Sequence, residues 1–116
     1  MTIVVYGLKN CDSCKKALRH LAERTIEAAL IDVRATPPTA QQLRAWCVRF
    51  GRDALVNKRS TTWRNLTDND KHILSDEDAV ALLVAQPTLM KRPVIETQDH
   101  ALLGFNADEL DAFLDR

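Results

Sequence analysis

Asn10-Cys11-Asp12-Ser13-Cys14-Lys15-Lys16 follows directly on a short apolar run, Ile3-Val4-Val5-Tyr6, and opens an amphipathic helical pattern. This junction constrains the fold more than any other stretch. The chain must leave a buried strand and enter a helix within a few residues, with a thiol held at the turn between them. The run is β-branched and aromatic and Gly7 punctuates its end, as expected of a buried strand. Beyond it, Cys14, Ala17, Leu18, Leu21 and Ala22 recur at i, i+3, i+4, i+7 and i+8, while Lys15, Lys16, Arg19 and Glu23 fall largely off that face.

Asn10 is the expected N-cap, which puts Cys11 at the first helical position. A sulfur there lies near unpaired backbone N–H groups and the positive end of the helix dipole, and both favour the nucleophilic thiolate. Asp12 suits the dipole, yet its charge beside Cys11 opposes the thiolate, so basic groups must outweigh it. Cys14 lies one turn on, on the same helix face, where its sulfur can meet that of Cys11.

At 116 residues the chain is expected to be a single domain, 1–116, with a core that needs no disulfide staples. Lysine plus arginine equal aspartate plus glutamate at 16 each, so net charge points to neither nucleic acid nor a membrane surface. No apolar run has the length of a membrane span, and Met1-Thr2 leads straight into a strand, so a cytoplasmic location is expected. Three cysteines, two of them in C-x-x-C, fit a reducing compartment and redox chemistry. Metal binding is not expected, because no second C-x-x-C and no H-x₃₋₅-H completes a tetrahedral set.

Ala28 to Val33 reads as a second strand, parallel to the first after a helical crossover. Thr36-Pro37-Pro38-Thr39 breaks the chain. Thr39 and Gln42 then have capping-box spacing ahead of Leu43, Trp46, Cys47 and Phe50, with Gly51 as the stop. Thr61 to Leu66 and Asp76 to Gln86 read as helical, the latter capped by Ser75 and followed by Pro87. Pro93 to Glu96 and Ala101 to Leu103 form an expected antiparallel hairpin, and Asn106 with Glu109 caps a last helix bearing Leu110, Phe113 and Leu114. The set outlines an α/β thioredoxin-like fold. Its mixed four-stranded sheet comes from a βαβ unit and a C-terminal ββα unit, with an all-helical insertion at about 37–88 between them.

Four ordered motifs resemble the arsenate reductase (ArsC)/Spx family, most closely its YffB branch. They are Tyr6 to Ala17, Asn57 to Arg64, Lys91-Arg92-Pro93 and Leu102-Leu103-Gly104-Phe105. The resemblance implies that Cys11 is the nucleophile and that Arg59 and Arg92 line an anion pocket, with Asn10 and Pro93 beside them. It also implies a cis Arg92-Pro93 bond that turns Arg92 and the adjacent backbone towards Cys11. Guanidinium forks bind oxyanions or carboxylates bidentately, and their charge lowers a nearby thiol's pKa. Phe105 stands where a third pocket arginine of arsenate reductases falls, so the site has less cationic compensation for a small oxyanion. The YffB branch resembles a glutathione-dependent thiol reductase instead. No tightly bound cofactor is implied; glutathione is the expected co-substrate, with a small oxidised thiol or an oxyanion as partner.

Cys14 has two readings, a resolving thiol for a Cys11 adduct or a buried helix residue. Cys47 reads as core, Trp46 and Trp63 as packing anchors, and Lys9, Lys15 and Lys16 as a solvated basic edge. His20, His72 and His100 fall outside the motifs and suggest no catalytic base. Two further functions compete with the thiol reductase. One is an Spx-like regulator that contacts RNA polymerase and uses C-x-x-C as a redox switch; the other is a true arsenate reductase.

Overall fold

A computed structural model describes residues 2–115. These divide into two compact units, one running to Val33 and resuming at Arg92, the other spanning Arg34–Lys91. In the first unit, β1 (Ile3–Gly7) leads to α1 (Asp12–Glu23) and β2 (Ala28–Asp32). After the second unit come β3 (Val94–Glu96), β4 (Ala101–Leu103) and α6 (Ala107–Leu114). The four strands lie in the order β2-β1-β3-β4. β1 runs parallel to β2, with Ile3 opposite Ala28 and Gly7 opposite Asp32, and antiparallel to β3, with Val5 opposite Ile95. β3 and β4 pair antiparallel, as the hairpin pattern predicts.

β1 is central, which is why Ile3, Val5, Tyr6 and Gly7 are all buried and only Val4 is partly so. Ile3, Val5 and Ile95 from the sheet pack with Ala17 and Leu21 of α1 and with Leu110, Phe113 and Leu114 of α6. Each fully buried large apolar side chain of this set contributes roughly 1.5–3 kcal/mol. Ala22 lies outside it. Placed on the apolar face by its spacing, it is exposed because that face narrows at the last turn of α1. His20 Nε2 and Asp111 Oδ1 lie 2.7 Å apart and Arg24 donates to the same oxygen at 3.0 Å, so α1 and α6 are joined by polar contacts as well as by the core.

α1 ends in a motif that usually calls for glycine. The N–H of Thr25 donates to Ala22 O and that of Ile26 to Leu21 O, both at 2.9 Å, and Thr25 takes a φ of 60°. A β-branched residue is strained there. Thr25→Gly is expected to stabilise the chain by about 1 kcal/mol, since relief of that strain exceeds the added chain entropy of glycine. A urea midpoint that stays put or falls would contradict this.

The second unit is helical: α2 (Ala40–Phe50), α3 (Arg52–Leu55), α4 (Thr61–Arg64), α5 (Asp76–Ala85) and a 3₁₀ turn at Pro87–Leu89. Thr39 and Gln42 form the expected capping box on α2, and Ser60 and Ser75 cap α4 and α5 through Trp63 N and Asp78 N. Leu43, Trp46 and Cys47 are buried from α2, and Ala79, Val80 and Leu83 from α5. Arg44 pairs with Glu77 at 2.7 Å and Arg52 with Asp76 at 3.2 Å. Both pairs are exposed enough to contribute little to stability.

Candidate active site

The turn from β1 into α1 differs by one residue from its sequence-based placement. Cys11, not Asn10, is the N-cap: it is extended at φ −87°, ψ 124°, and α1 begins at Asp12. The N–H of Cys11 donates to Leu8 O at 3.2 Å, closing a turn over Lys9 and Asn10, so Asn10 is spent in the turn and stands exposed. Its side chain therefore does not cap the helix. The consequence for chemistry is favourable, because the Cys11 side chain itself now occupies the capping position at the positive end of α1.

Cys11 is partly exposed and carries a free thiol. Burial raises its pKa, but the Cys14 backbone N–H, the Cys14 side chain and the Arg92 guanidinium, which hydrogen-bonds the sulfur and adds its charge, together bring it below the usual thiol value. No side-chain hydrogen bond closes the cap at Cys11. Cys14 is the opposite case. Burial, followed by its contact with the Cys11 sulfur, pushes its thiol up to about 11 despite the Leu8 backbone and Arg92.

Arg92 reaches this site from the segment before β3. The Arg92-Pro93 bond is cis, as the family resemblance implies, Pro93 is buried, and its carbonyl accepts from Gly104 N at 2.8 Å. The Nε of Arg92 is buried, while the residue as a whole is partly exposed. Cys11, Cys14 and Arg92 are thus brought together within the first unit. Arg59 lies in the second, on an exposed turn held by Asn57, whose Oδ1 accepts from Arg59 N at 3.1 Å and whose carbonyl accepts from Ser60 Oγ at 3.0 Å. Among the described residues the Arg59 side chain forms no ion pair.

One contributor to the site carries a sequence signal that reads only as punctuation. A Cβ built on Gly7 would collide with the Cys14 Sγ and come within 3.3 Å of its Cβ. The end of β1 is glycine because the buried sulfur occupies that volume. Gly7→Ala is expected to cost about 1–3 kcal/mol through overpacking, outweighing the smaller gain from a stiffer unfolded chain. That cost should shrink when Cys14→Ala is added, and equal denaturation costs in the two backgrounds would show that the two residues do not compete for space.

Phe105 packs against the core of the first unit, its ring meeting that of His20 edge-on at 6.0 Å. Cys47 is buried as expected, its thiol pushed up by burial and by Asp76, against the effect of Arg52. Trp46 is buried in its unit, and Trp63 is partly buried, with the Lys58 ammonium 5.8 Å from its ring centre. Lys9, Lys15 and Lys16 are exposed. No helix among the described residues is long and apolar enough to cross a membrane.

The fold is a thioredoxin-like α/β sheet with a thiol at the cap of its first strand-to-helix turn and Arg92 beside the sulfur. The ArsC family model matches residues 6–113, and the chain belongs to that family. The solved YffB protein is similar at a TM-score of 0.90 and 36% identity, covering 95% of this chain and 96% of that one. An uncharacterised protein of Haemophilus influenzae is 48% identical over 110 residues, 95% of this chain and 96% of its own length. The global transcriptional regulator Spx of Streptococcus pyogenes is more distant, at 30% identity over 98% of this chain and 86% of that protein.

Proposed function

We propose that this chain is a glutathione-dependent thiol reductase in which Cys11 is the nucleophile. The observation that carries the reading is the state of its sulfur: partly exposed at a helix cap, with the Cys14 N–H, the Cys14 thiol and Arg92 all favouring the thiolate. Cys11 attacks one sulfur of a small mixed disulfide. The other sulfur leaves as thiolate, and glutathione then regenerates Cys11. Arg92, and Arg59 as the family resemblance implies, take carboxylates of glutathione, and the exposure of Arg59 without an ion pair among the described residues suits a guanidinium kept for a ligand. Glutathione serves as co-substrate and no tightly held cofactor is needed, in keeping with a cytoplasmic protein. Phe105 in place of a third arginine favours this substrate class over arsenate.

The Spx likeness supports a second reading, a redox-responsive regulator that contacts RNA polymerase. Steady-state turnover of hydroxyethyl disulfide with glutathione decides between them. Turnover that depends on Cys11 supports the reductase, whereas retention of RNA polymerase by a chain without turnover supports the regulator. Reduction of arsenate in preference to the disulfide would restore the arsenate reductase reading.

A further inference from the structure

We propose that the outward face of α1, from Lys15 to Arg19 with Lys9 ahead of it, docks the polypeptide that carries the disulfide and selects substrates with acidic residues beside the modified cysteine. The inference rests on the reductase reading for its reaction, and it extends the substrate from a small mixed disulfide to a glutathionylated polypeptide. Cys14, Ala17 and Leu21 form the buried side of α1, which leaves Lys15, Lys16 and Arg19, at i, i+1 and i+4, on the opposite side. Lys9 stands in the turn just before Cys11, and all four cations are exposed. Among the described residues none of them forms an ion pair or a side-chain hydrogen bond. Arg24, just past the other end of the same helix, is by contrast held by Asp111 and Asp115.

Asp12 and Glu23 are the acids of that outward face, one at each end, so the three cations between them form an unbroken positive stretch. The whole chain carries no net charge, and the surplus is therefore local to this face. Its position decides what it is for. Cys11 is the N-cap of α1, and Lys15, Lys16 and Arg19 follow it by about 6, 8 and 12 Å along the helix axis. An extended chain rises about 3.3 Å per residue, so a polypeptide whose modified cysteine sits at Cys11 lays its residues about two and four positions away over these cations. Carboxylates there find unpaired partners. Each exposed pair contributes little by itself, but several together steer the encounter and set the register of the bound chain. The sulfur chemistry is unchanged: Cys11 thiolate takes the glutathionyl sulfur, the S–S bond breaks, and the polypeptide cysteine leaves as thiolate with the electron pair. A second glutathione thiolate then displaces Cys11 and forms oxidised glutathione. A nucleic acid would meet the same cations, yet it offers no sulfur to the thiol at which they begin.

The test uses two synthetic glutathionylated peptides of equal length, one with Asp and Glu at the second to fourth positions on both sides of the modified cysteine, the other with Lys at those positions. Deglutathionylation with glutathione is followed for the parent chain and for the double variant Lys15→Glu, Lys16→Glu. At low ionic strength the parent should prefer the acidic peptide by at least about tenfold in kcat/KM, the lower end of what electrostatic steering supplies. The preference should collapse at about 0.5 M salt, where screening acts at these separations, and should reverse in the variant. Turnover of hydroxyethyl disulfide, an uncharged substrate, should change little. Equal kcat/KM for the two peptides, a preference indifferent to salt, or one that survives in a folded variant would overturn the proposal. The salt arm needs no variant to fold. Binding is read separately by fluorescence anisotropy, with the parent chain and the labelled acidic peptide carrying serine in place of its cysteine; tighter binding of a labelled single-stranded oligonucleotide of equal charge would assign the face to nucleic acid and overturn the proposal. A parent without turnover on any disulfide defeats the reductase reading alone, since the anisotropy still decides what the face binds.

Discussion

Cys11→Ser is expected to lower turnover of a glutathione mixed disulfide by at least on the order of 10³-fold, the scale of loss when an enzyme's nucleophile is removed. A serine hydroxyl at the same cap gains from the Cys14 N–H and from Arg92, but those groups cannot ionise it near neutral pH, and oxygen does not exchange with a disulfide. The fold should be retained, because Cys11 is only partly buried and its backbone, not its side chain, starts α1. A Cys11→Ser chain that turns over as the parent does would remove the thiol from the reaction altogether.

The second large effect is expected at Arg92. Its guanidinium hydrogen-bonds the Cys11 sulfur and supplies charge beside it, so Arg92→Ala should move the alkylation midpoint of Cys11 upward. Less thiolate is then present at neutral pH, and the rate falls there and recovers as pH rises. Binding of S-methylglutathione, an unreactive analogue, should weaken by about 10- to 150-fold, equivalent to about 1.5–3 kcal/mol for one lost charge-assisted hydrogen bond. Arg92→Lys should restore more of the thiol effect than of the binding, because a point charge replaces the fork. Unchanged affinity by calorimetry in both variants would leave Arg92 acting on the sulfur alone.

The parts of the fold that were legible in the sequence are those set by local chemistry. Thr39 with Gln42, Ser75 and Asn106 cap the helices assigned to them because a cap needs only a side-chain oxygen and the N–H three residues on. The strands were legible for a similar reason: β1 is buried almost throughout, and the hairpin is bounded by polar turns. α3 and the 3₁₀ turn were not, since four and three residues carry no periodicity. At the site, residue type favoured Asn10 over Cys11 as the cap, and the Leu8 to Cys11 turn reversed that order. Helical spacing alone cannot tell a resolving Cys14 from a buried one. Its burial, with the sulfur against Gly7, comes from packing between residues seven apart. Arg92 was legible only through resemblance, because its approach to Cys11 is set by a segment some 80 residues downstream.

The central claim, that Cys11 is the reactive sulfur of this chain, is tested most directly by treating the parent protein with oxidised glutathione and locating the product by intact mass and peptide mapping. A single glutathione adduct on Cys11, with Cys14 and Cys47 unmodified, is the expected result. An adduct chiefly on Cys47, or no modification of Cys11 under conditions where small thiols exchange readily, would contradict it.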